Sequence, residues 1–297
     1  MMRFELIQDI ENAKKWWLYF SPNISLYDTW DFCFLFYKHL NHEIYFYVGF
    51  ENDTPIGLFP LQKNCENNEF YFFGGSYMEN NQVYIKPGFE ECRKEFYNAI
   101  AHTVHLEYIV GEDMATKALP IMDEKYILPL HDMNSLEDYF QKYFLGETRG
   151  KMRRKIRHVE SEGVTVIKNK WEDIEYLFQF NMENFGERST FHLDGRKDSF
   201  RELLFLANDV HLLSFYCGDT IAGVSLGIIG VDSTYEYLNL GVSSSAPKDM
   251  RSYIHLKNIE TAMHASSRVF NAGCSDCGWK ELFHLQKSPQ YKFDKSV

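Results

Sequence analysis

One carboxylate, Glu236, lies inside an aromatic, β-rich run, the segment TYEYL at residues 234–238. Apolar surroundings disfavour the charged form of a carboxylate, so such a group can serve as a general base, directly or through a water molecule. The alternative is a strand residue that is exposed or ion-paired and has no chemical role. Glu236 is therefore a candidate base, and its strand is the first element to place.

A polar loop follows this strand and precedes a helical pattern. Serine hydroxyls, cations and the free N–H groups of a helix N-terminus together favour an anion, so the loop is a candidate phosphate site. The alternative is a polar loop that binds nothing. No glycine occurs from Val242 to Asn271, which argues against a backbone that approaches a pyrophosphate closely. The candidate anion-binding residues are Ser243, Ser244, Ser245, Lys248, Arg251 and Ser252.

The cysteines form no pattern that predicts a metal site or a disulfide framework. A chain of 297 residues is long enough to hold its core without disulfides. Cys274 and Cys277 form a CxxC pair, which supplies fewer ligands than a structural zinc ion needs. We therefore expect free thiols and no metal. The cysteines are Cys33, Cys65, Cys92, Cys217, Cys274 and Cys277.

The elements that must position these groups belong to an ordinary folded chain, in which 45% of the residues are hydrophobic and 25% are charged. The formal net charge of −11 opposes binding to polyanions and argues against a dedicated DNA-binding protein. The first residues lack the apolar run of a signal peptide, and the apolar segment 30–40 is too short and too charged to span a membrane. We therefore expect a soluble cytoplasmic protein with no membrane partner.

The chain contains a second copy of one of its own patterns. The segments EIYFYVGFENDTPIGLFPL (43–61) and VHLLSFYCGDTIAGVSLGI (210–228) each contain a β-rich run, a turn and a second β-rich run. Acidic and glycine turn residues between such runs predict a β-hairpin in each segment. The matched residues, at a shift of 219 − 53 = 166, are Asp53, Thr54 and Gly57 in one segment and Asp219, Thr220 and Gly223 in the other.

The repeat continues beyond the hairpins. A strand at 69–73 is followed by Gly75 and a strand at 234–240 by Gly241, again 241 − 75 = 166 residues apart. Helical patterns at 89–102 and 251–265 come next, and each leads into a β-rich run that closes on a glycine. Shared order, turns and glycines over so long a stretch indicate an internal duplication.

Each half therefore contains a helix, a hairpin, a strand, a helix and a strand. Helices at 28–40 in the first half, and at 171–185 and 196–206 in the second, are expected to open the halves. A strand at 126–130 and helices at 135–145 and 147–161 connect them. We expect a boundary near residue 131, with one domain at 1–131 and the other at 132–297.

This element order resembles that of the GNAT N-acetyltransferase fold. Three stretches resemble one GNAT-like family, which groups with CelD and the Fem-type peptidoglycan aminoacyltransferases and whose members carry two GNAT domains in tandem. They are PIGLFPL (55–61), the basic helix GKMRRKIRHVESEG (150–163) and the ending FNAGCSDCGWKELF (270–283). In that ending Gly273, Trp279, Lys280 and Phe283 match the family, while Asn271 stands where the family prefers aspartate.

The resemblance implies a mixed α/β (α+β) fold of two tandem domains, each a mainly antiparallel sheet flanked by helices. It also implies that an acyl thioester, acetyl-CoA or another acyl-CoA, lies where the fourth and fifth strands of a domain part. For the second half this assigns Glu236 as the base, Tyr253 as a proton donor to the leaving thiolate and Asp276 as a residue that orients the amine. A plain turn is the alternative for Asp276. We expect the first half to be degenerate and assign it no cofactor.

A basic helix connects the halves, and its charges spread over most of its surface. One interpretation is a solvated connecting helix. The other is a contact with a phosphate-rich donor, either the 3′-phosphate of CoA or an aminoacyl-tRNA. The basic residues are Arg149, Lys151, Arg153, Arg154, Lys155 and Arg157.

Three functions stay open on the sequence alone. The first is an acyltransferase that moves an acyl group, such as acetyl, from acyl-CoA to an amine by direct attack. The second is a Fem-type aminoacyltransferase that uses aminoacyl-tRNA, and the third is a binding protein that keeps the fold without a working donor site. The sequence does not choose between a small-molecule and a peptide or protein amine as acceptor, and it does not fix the oligomeric state.

Overall fold

The computed structural model describes residues 2–206 and 209–296. Strands and helices are interspersed along it, as expected of a mixed α/β fold. The strands are β1 (Arg3–Ile7), β2 (His42–Glu51), β3 (Thr54–Asn64), β4 (Phe70–Phe72), β5 (Tyr84–Ile85), β6 (Val104–Ile109), β7 (Ile121–Pro129), β8 (Val164–Lys168), β9 (Val210–Cys217), β10 (Thr220–Ile229), β11 (Thr234–Val242), β12 (Val269–Cys274) and β13 (Gln286–Lys295). The α-helices are α1 (Ile10–Phe20), α2 (Trp30–Tyr37), α3 (Arg93–Ala99), α4 (Met114–Lys117), α5 (Leu136–Tyr143), α6 (Gly146–Ser161), α7 (Ile174–Phe185), α8 (Arg196–Leu206) and α9 (Met250–His264).

The residues group into two compact units. The first unit comprises Met1–Lys125 and Lys287–Val297, and the second comprises Tyr126–Gln286. The boundary expected from the sequence lies at residue 131 and leaves the last residues in the second half. In the structure β13 belongs to the first unit because it pairs antiparallel with β6, with Tyr291 opposite Ile109.

In the first unit, antiparallel strands run in the order β1-β2-β3-β4, and β5 pairs with another part of β3. The hairpin between β2 and β3 closes on Asn52 and Asp53, which both have a positive φ. Two such residues form the tight turn that matches the twist of the flanking strands. Aromatic side chains, among them Phe59, Phe70 and Phe96, fill a core cluster of this unit.

In the second unit the strands run in the order β7-β12-β11-β10-β9-β8. The pairs from β8 to β11 are antiparallel, whereas β11 and β12 are parallel. Helix α9 connects these two parallel strands and buries Leu256, Ile259 and Ala262 in the core. Antiparallel and parallel pairs in one sheet flanked by helices confirm the expected fold class.

Both predicted hairpins are present, and they share a detail beyond their turns. Ile56 in β3 has no residue opposite it in β2, and Ala222 in β10 has none opposite it in β9. Each is the extra residue of a β-bulge, and the two are 222 − 56 = 166 residues apart. The same irregularity at the same place in both copies supports the duplication.

The predicted helices are found with shifted ends. The helix expected at 89–102 is short, because a 3-10 turn at Glu90–Cys92 precedes α3 and the helix stops at Ala99. α5 begins as expected at Ser135, whose hydroxyl accepts the Asp138 N–H and donates to the Asp138 carboxylate. No helix within residues 2–206 and 209–296 is long and apolar enough to cross a membrane.

Candidate active site

The two parallel strands of the second unit separate part of the way along. The last position at which β11 and β12 pair sets Glu236 opposite Asn271. Both strands continue beyond it, to Val242 and to Cys274, with no further pair among the described residues. A β-bulge at Leu238 bends β11 at the same place. The strands therefore part after Glu236 and Asn271, and we call this point the fork.

Glu236 lies on the face of the sheet that is turned away from α9. Its neighbours bond to that helix: the Tyr235 hydroxyl donates to Asn258 Oδ1 over 2.9 Å, and the Tyr237 hydroxyl lies 3.2 Å from His255 Nδ1. Because successive side chains of a strand point to opposite faces, Glu236 points away from α9. Glu236 is 3% exposed, so the candidate base is buried at the fork.

The side chain of Asn271 holds the carboxylate of Glu236. Asn271 Nδ2 donates to Glu236 Oε2 over 2.6 Å, and Asn271 is 2% exposed. The backbone N–H of Gly273 donates to Asn271 Oδ1 over 3.0 Å, so both ends of the amide are engaged. A hydrogen bond to an ionised acceptor is stronger than a neutral one and offsets part of the cost of burying the charge. This arrangement suits a group that accepts a proton.

Beyond the fork, three asparagine side chains bond the edge of β11 that β12 leaves open. From α7, Asn181 Nδ2 donates to the Leu240 carbonyl over 2.8 Å. Asn184, also from α7, accepts from the Val242 N–H over 3.0 Å and donates to the Val242 carbonyl over 2.9 Å. Asn239 Oδ1 accepts from Asn181 over 2.7 Å and from the Leu240 N–H over 3.3 Å. These asparagines take the place of a missing strand partner, and we call them the asparagine edge.

A glycine lets α7 come this close to β11. A Cβ atom on Gly241 would lie 2.8 Å from the carbonyl oxygen of Leu177 and 2.8 Å from Phe180 Cβ. Real Cβ atoms do not approach backbone atoms so closely, so any larger residue would push α7 away from the strand. Gly241 is therefore required by packing, and the asparagine edge depends on it.

An aromatic stack lies on the other face, between α9 and the segment after β12. The rings of Trp279 and His255 are nearly parallel, with centroids 3.8 Å apart. Burial, with Arg251 and Lys280 nearby, lowers the pKa of His255 to about 3, so this ring is neutral at neutral pH. Its Nε2 atom is buried and has no hydrogen-bond partner among the described residues.

Lys280 holds the end of β12. Its Nζ atom donates to the Gly273 carbonyl over 2.9 Å and to the Cys274 carbonyl over 2.6 Å. It also lies 5.0 Å from the centroid of the Tyr126 ring, and the residue is 3% exposed. This buried cation satisfies carbonyls at the strand end and so fixes one arm of the fork.

The predicted anion-binding residues lie in the loop between β11 and α9 and in the first turn of α9, and we call residues 243–252 the serine loop. Asp249 is the N-cap residue of α9 with φ 68°, and its side chain does not bond the helix N–H groups. The Ser243 and Ser245 hydroxyls lie 2.9 Å apart. The structure thus groups all six predicted residues at one helix N-terminus. The exposed members are Ser244, Ser245, Lys248 and Arg251, and the partly buried members are Ser243 and Ser252.

One residue of the basic helix reaches the serine loop. Lys155 Nζ, on α6, donates to Ser252 Oγ over 3.1 Å and lies 3.9 Å from Asp249 Oδ1. Sequence reasoning treated the helix and the loop as separate features, and the structure brings them together. Lys155 offsets the charge of Asp249 at the place where an anion would bind.

The other cations of α6 differ in their partners. Lys151 pairs with Glu147, and Arg153 pairs with Glu137. Exposed ion pairs of this kind add little stability. Arg154 is exposed and makes no ion pair within 2–206 and 209–296, and the same holds for Arg157. These two arginines are available to a phosphate-bearing partner.

The two remaining predicted residues lie apart from the carboxylate of Glu236. Tyr253 is buried on α9 in an apolar cluster, where its ring meets that of Phe215 edge to face at 6.1 Å. Burial raises the pKa of Tyr253, so the hydroxyl keeps its proton at neutral pH. Asp276 is exposed, and its Oδ1 accepts the Gly278 N–H over 2.8 Å within the turn after β12.

A metal centre has no support in the part of the chain that the structure describes. No group of three or more histidine, cysteine, aspartate or glutamate side chains is placed to hold a metal ion there. Cys274 and Cys277 are free thiols.

Sequence reasoning missed the asparagine edge and the role of Asn271. Asn181 and Asn184 are three residues apart on α7, and this spacing puts two amides on one face of a helix. That pattern was a usable signal, because buried amides on a helix face need partners. The partner of Asn271 left no local signal, since Glu236 is 271 − 236 = 35 residues away.

Comparison with known proteins identifies the segment that carries the fork. Residues 146–281 match the family model described as acetyltransferase (GNAT) domain. The match contains α6, the hairpin, the fork and the serine loop. No curated protein matches the chain in sequence.

Solved structures share the fold over nearly the whole chain. The C-terminal domain of a putative lysylphosphatidylglycerol synthetase from Agrobacterium fabrum has a TM-score of 0.61 at 10% identity, covering 95% of this chain and 91% of that one. FemX has a TM-score of 0.61 at 12% identity, covering 99% and 97%. A tandem GNAT protein from the clavulanic acid biosynthesis pathway has a TM-score of 0.56 at 9% identity, covering 98% of this chain and 97% of that one.

At such low identity these likenesses show the fold alone, and the family match covers the second copy of the repeat. Taken with the parallel strands that part at Glu236, they agree with the resemblance found in the sequence. The chain has the fold of the tandem GNAT and Fem-type proteins, and its residues 146–281 match the GNAT acetyltransferase domain family.

Proposed function

We propose that the protein is an N-acyltransferase that moves an acyl group from acyl-CoA to an amine by direct attack. The observation that carries the proposal is the fork, where a buried, hydrogen-bonded Glu236 lies at the parting of the two parallel strands of a GNAT domain. The amine nitrogen bonds to the thioester carbonyl carbon, the C–S bond breaks and its electron pair leaves with the thiolate. Glu236 takes the proton of the amine, directly or through water.

The serine loop is the proposed donor site. Lys248 and Arg251 are exposed there, and Lys155 reaches the same loop, so three cations surround the N-terminus of α9. Cations and helix N–H groups favour the phosphates of CoA. Ser243, Ser244, Ser245 and Ser252 supply hydroxyl donors to the same anion. The loop lacks glycine, so we assign the contact to side chains and not to a glycine-rich backbone.

Two further roles complete the proposal. Tyr253 carries its proton at neutral pH, as a donor to the leaving thiolate must, and burial raises its pKa. Asp276 is exposed after β12 and carries a charge that can orient an acceptor amine. We assign activity to the second unit and treat the first as degenerate.

Thermal unfolding tests the donor. Acetyl-CoA and longer acyl-CoAs at 100 times their Kd are expected to stabilise the protein by about 2.7 kcal/mol. Replacing Lys248 and Arg251 together by alanine should remove most of this gain, whereas Glu236→Gln should keep it, because Glu236 acts on the acceptor. If no acyl-CoA stabilises the protein, the acyl-CoA assignment is wrong.

A second candidate donor, aminoacyl-tRNA, is favoured by one observation on α6. Arg154 and Arg157 are exposed cations, and the chain shares its fold with FemX. Binding of charged tRNA, followed over a range of salt, should weaken when both arginines become alanine, and the salt slope should fall by about 1 per lost phosphate contact. Lys151→Ala is the matched control, because Lys151 already pairs with Glu147. Undetectable or salt-independent binding would exclude this donor.

A further inference from the structure

Asn271 occupies the one position where β12 faces the candidate base across the fork. It lies opposite Glu236 in the last pair of the two strands, and both side chains are almost fully buried. The 2.6 Å contact between Asn271 Nδ2 and Glu236 Oε2 is short for a hydrogen bond from an amide. Because both side chains are buried, the hydrogen-bonding groups of each one restrict the orientation or the protonation state of the other.

The orientation of this amide is fixed from its other end. The Gly273 N–H donates to Asn271 Oδ1 over 3.0 Å, and a backbone N–H can only donate. The oxygen of the amide must therefore face Gly273, and the NH₂ group must face Glu236. Lys280 bonds the Gly273 carbonyl, which belongs to the next peptide group, so the backbone of Gly273 is hydrogen-bonded on both sides.

An amide NH₂ group favours one protonation state of its neighbour. It donates to a carboxylate and cannot accept a proton from a carboxylic acid, so this contact stabilises the ionised form of Glu236. An aspartate at position 271 would set two carboxylates at hydrogen-bond distance. Two buried like charges do not both ionise, and such a pair would share one proton.

The elements packed around the fork carry both titratable and non-titratable side chains. β10 places Ile228 opposite Glu236, and α7 contacts β11 through Asn181, neither of which titrates. Burial lowers the pKa of His211 on β9 and of His255 on α9, so both rings are neutral at neutral pH. Lys280, after β12, bonds two carbonyls.

We propose that Asn271 is a positioning residue of the transferase: it keeps Glu236 ionised and in one orientation at the fork, ready to accept the proton of the amine. This inference rests on the proposed function, because it acts through Glu236. Asn271 touches neither the donor nor the acceptor in this scheme. Its contribution is to fix the charge and the orientation of the Glu236 carboxylate, which accepts the proton of the amine.

Exchanging the amide of Asn271 and the carboxylate of Glu236 tests the pairing without a measurement of activity. Thermal unfolding is measured from pH 5 to pH 8 for wild type, Asn271→Asp, Glu236→Gln and the double variant. We expect Asn271→Asp to lose stability progressively as the pH rises, because its two carboxylates compete for one proton. The double variant restores one amide and one carboxylate, so its melting temperature should return toward wild type and lose the excess pH dependence.

A second buried asparagine provides the matched control. Asn258 is fully buried in the same unit, donates to Ser225 Oγ over 2.8 Å and accepts the Tyr235 hydroxyl. Asn258→Asp buries a carboxylate on the opposite face of the sheet, away from Glu236. It should destabilise the protein, but adding Glu236→Gln should not rescue it. Rescue of both aspartate variants alike, or of neither, would overturn the pairing.

The pH profile of transfer tests the positioning role. Relative to wild type, Asn271→Asp should move the acidic limb of kcat/KM upward by about one pH unit or more. The double variant should fold like wild type yet stay about 10²-fold or more below it, because its amide cannot accept a proton. An unchanged limb in Asn271→Asp would overturn the role. If wild type transfers nothing from any donor while the swap restores stability, the proposed function fails and the pairing stands.

Discussion

The two copies of the repeat keep the same hairpin and differ in the elements after it. In the second unit the next strand, β11, is nine residues long and pairs in parallel with β12, and α9 between them has 15 residues. In the first unit the corresponding strand, β4, has three residues, and α3 has seven. Near β4, Asn81 and Ile109 form a single parallel bridge. A fork with a buried carboxylate is thus a property of the second copy.

The register of the strands shows which residue replaces the candidate base in the first copy. Gln62 in β3 lies opposite Tyr71, and its counterpart Ile228, at 228 − 62 = 166, lies opposite Glu236. Tyr71 donates its hydroxyl to Glu69, and burial raises the pKa of Tyr71 to about 12. A phenol that keeps its proton cannot act as a base near neutral pH. Both copies therefore keep the hairpin, and the candidate base occurs in the second copy.

Separate substitutions of Glu236 and Tyr71 should give the largest difference in transfer activity between the two copies. Glu236→Gln is expected to lower kcat/KM for transfer by about 10²- to 10⁴-fold, because the amide cannot take the proton of the amine. Tyr71→Phe should leave transfer essentially unchanged, since it removes one hydroxyl from the first unit. Steady-state kinetics with the donor identified by unfolding provides the measurement. Equal losses in the two variants would contradict a single working copy.

The matched glycines should respond in opposite ways to the same two substitutions. At Gly241 any side chain meets the α7 backbone, so both substitutions should lower the free energy of unfolding, by about 1–3 kcal/mol. The larger asparagine should cost more than alanine there. Gly75 has φ 79°, and the nearest contact of a Cβ there is the flexible end of Leu40. Asparagine tolerates positive φ better than alanine, so at Gly75 asparagine should cost less.

Chemical denaturation of the four variants measures whether the rank order of alanine and asparagine reverses between the two sites. The same rank order of alanine and asparagine at both sites would show that the two glycines serve one purpose. It would also remove the argument that α7 approaches β11 only because position 241 lacks a side chain.

A smaller difference between the two units should appear in how stability depends on acidic pH. The pKa of His255 is lowered to about 3, below its ordinary value, so the unfolded chain binds a proton that the folded chain excludes. The stability from this ring is complete above the ordinary histidine pKa and is lost as the pH falls toward 3. At pH 5 the loss is about 2 kcal/mol relative to pH 7.

Denaturation of wild type and His255→Phe between pH 7 and pH 5 measures the slope. The variant should show the flatter profile, whatever its stability at pH 7. His42→Phe in the first unit is the control, because burial lowers the pKa of His42 while leaving that ring partly exposed. Its removal should change the slope less, and an equal change would argue against a special burial of His255.

The sequence was informative where the physics is local. Asn52, Asp53 and Gly218 identify both hairpin turns, because positive φ selects residue types directly. Glu236 was visible because a carboxylate among aromatic residues is unusual. α1 was missed, although Asp9 caps it, with Ala13 and Trp17 buried at helical spacing.

The rest of the site depends on contacts that no local pattern encodes. Asn184 bonds Val242 across 242 − 184 = 58 residues, and Lys155 meets Ser252 across 252 − 155 = 97. Such pairs are set by strand register and helix packing, which the sequence specifies only through the whole core. The candidate base was therefore predictable, and its supporting partners were not.

The asparagine edge has a consequence for how the protein behaves in solution. A strand edge with free N–H and C=O groups is a template for strands of other molecules, and it promotes aggregation and domain swapping. The parting of β11 from β12 creates such an edge beside the candidate base. Asn184 donates one hydrogen bond to Val242 and accepts one from it, as a neighbouring peptide group would. A side chain thus takes the place of a strand partner, and we expect this to disfavour pairing of β11 with strands of other molecules.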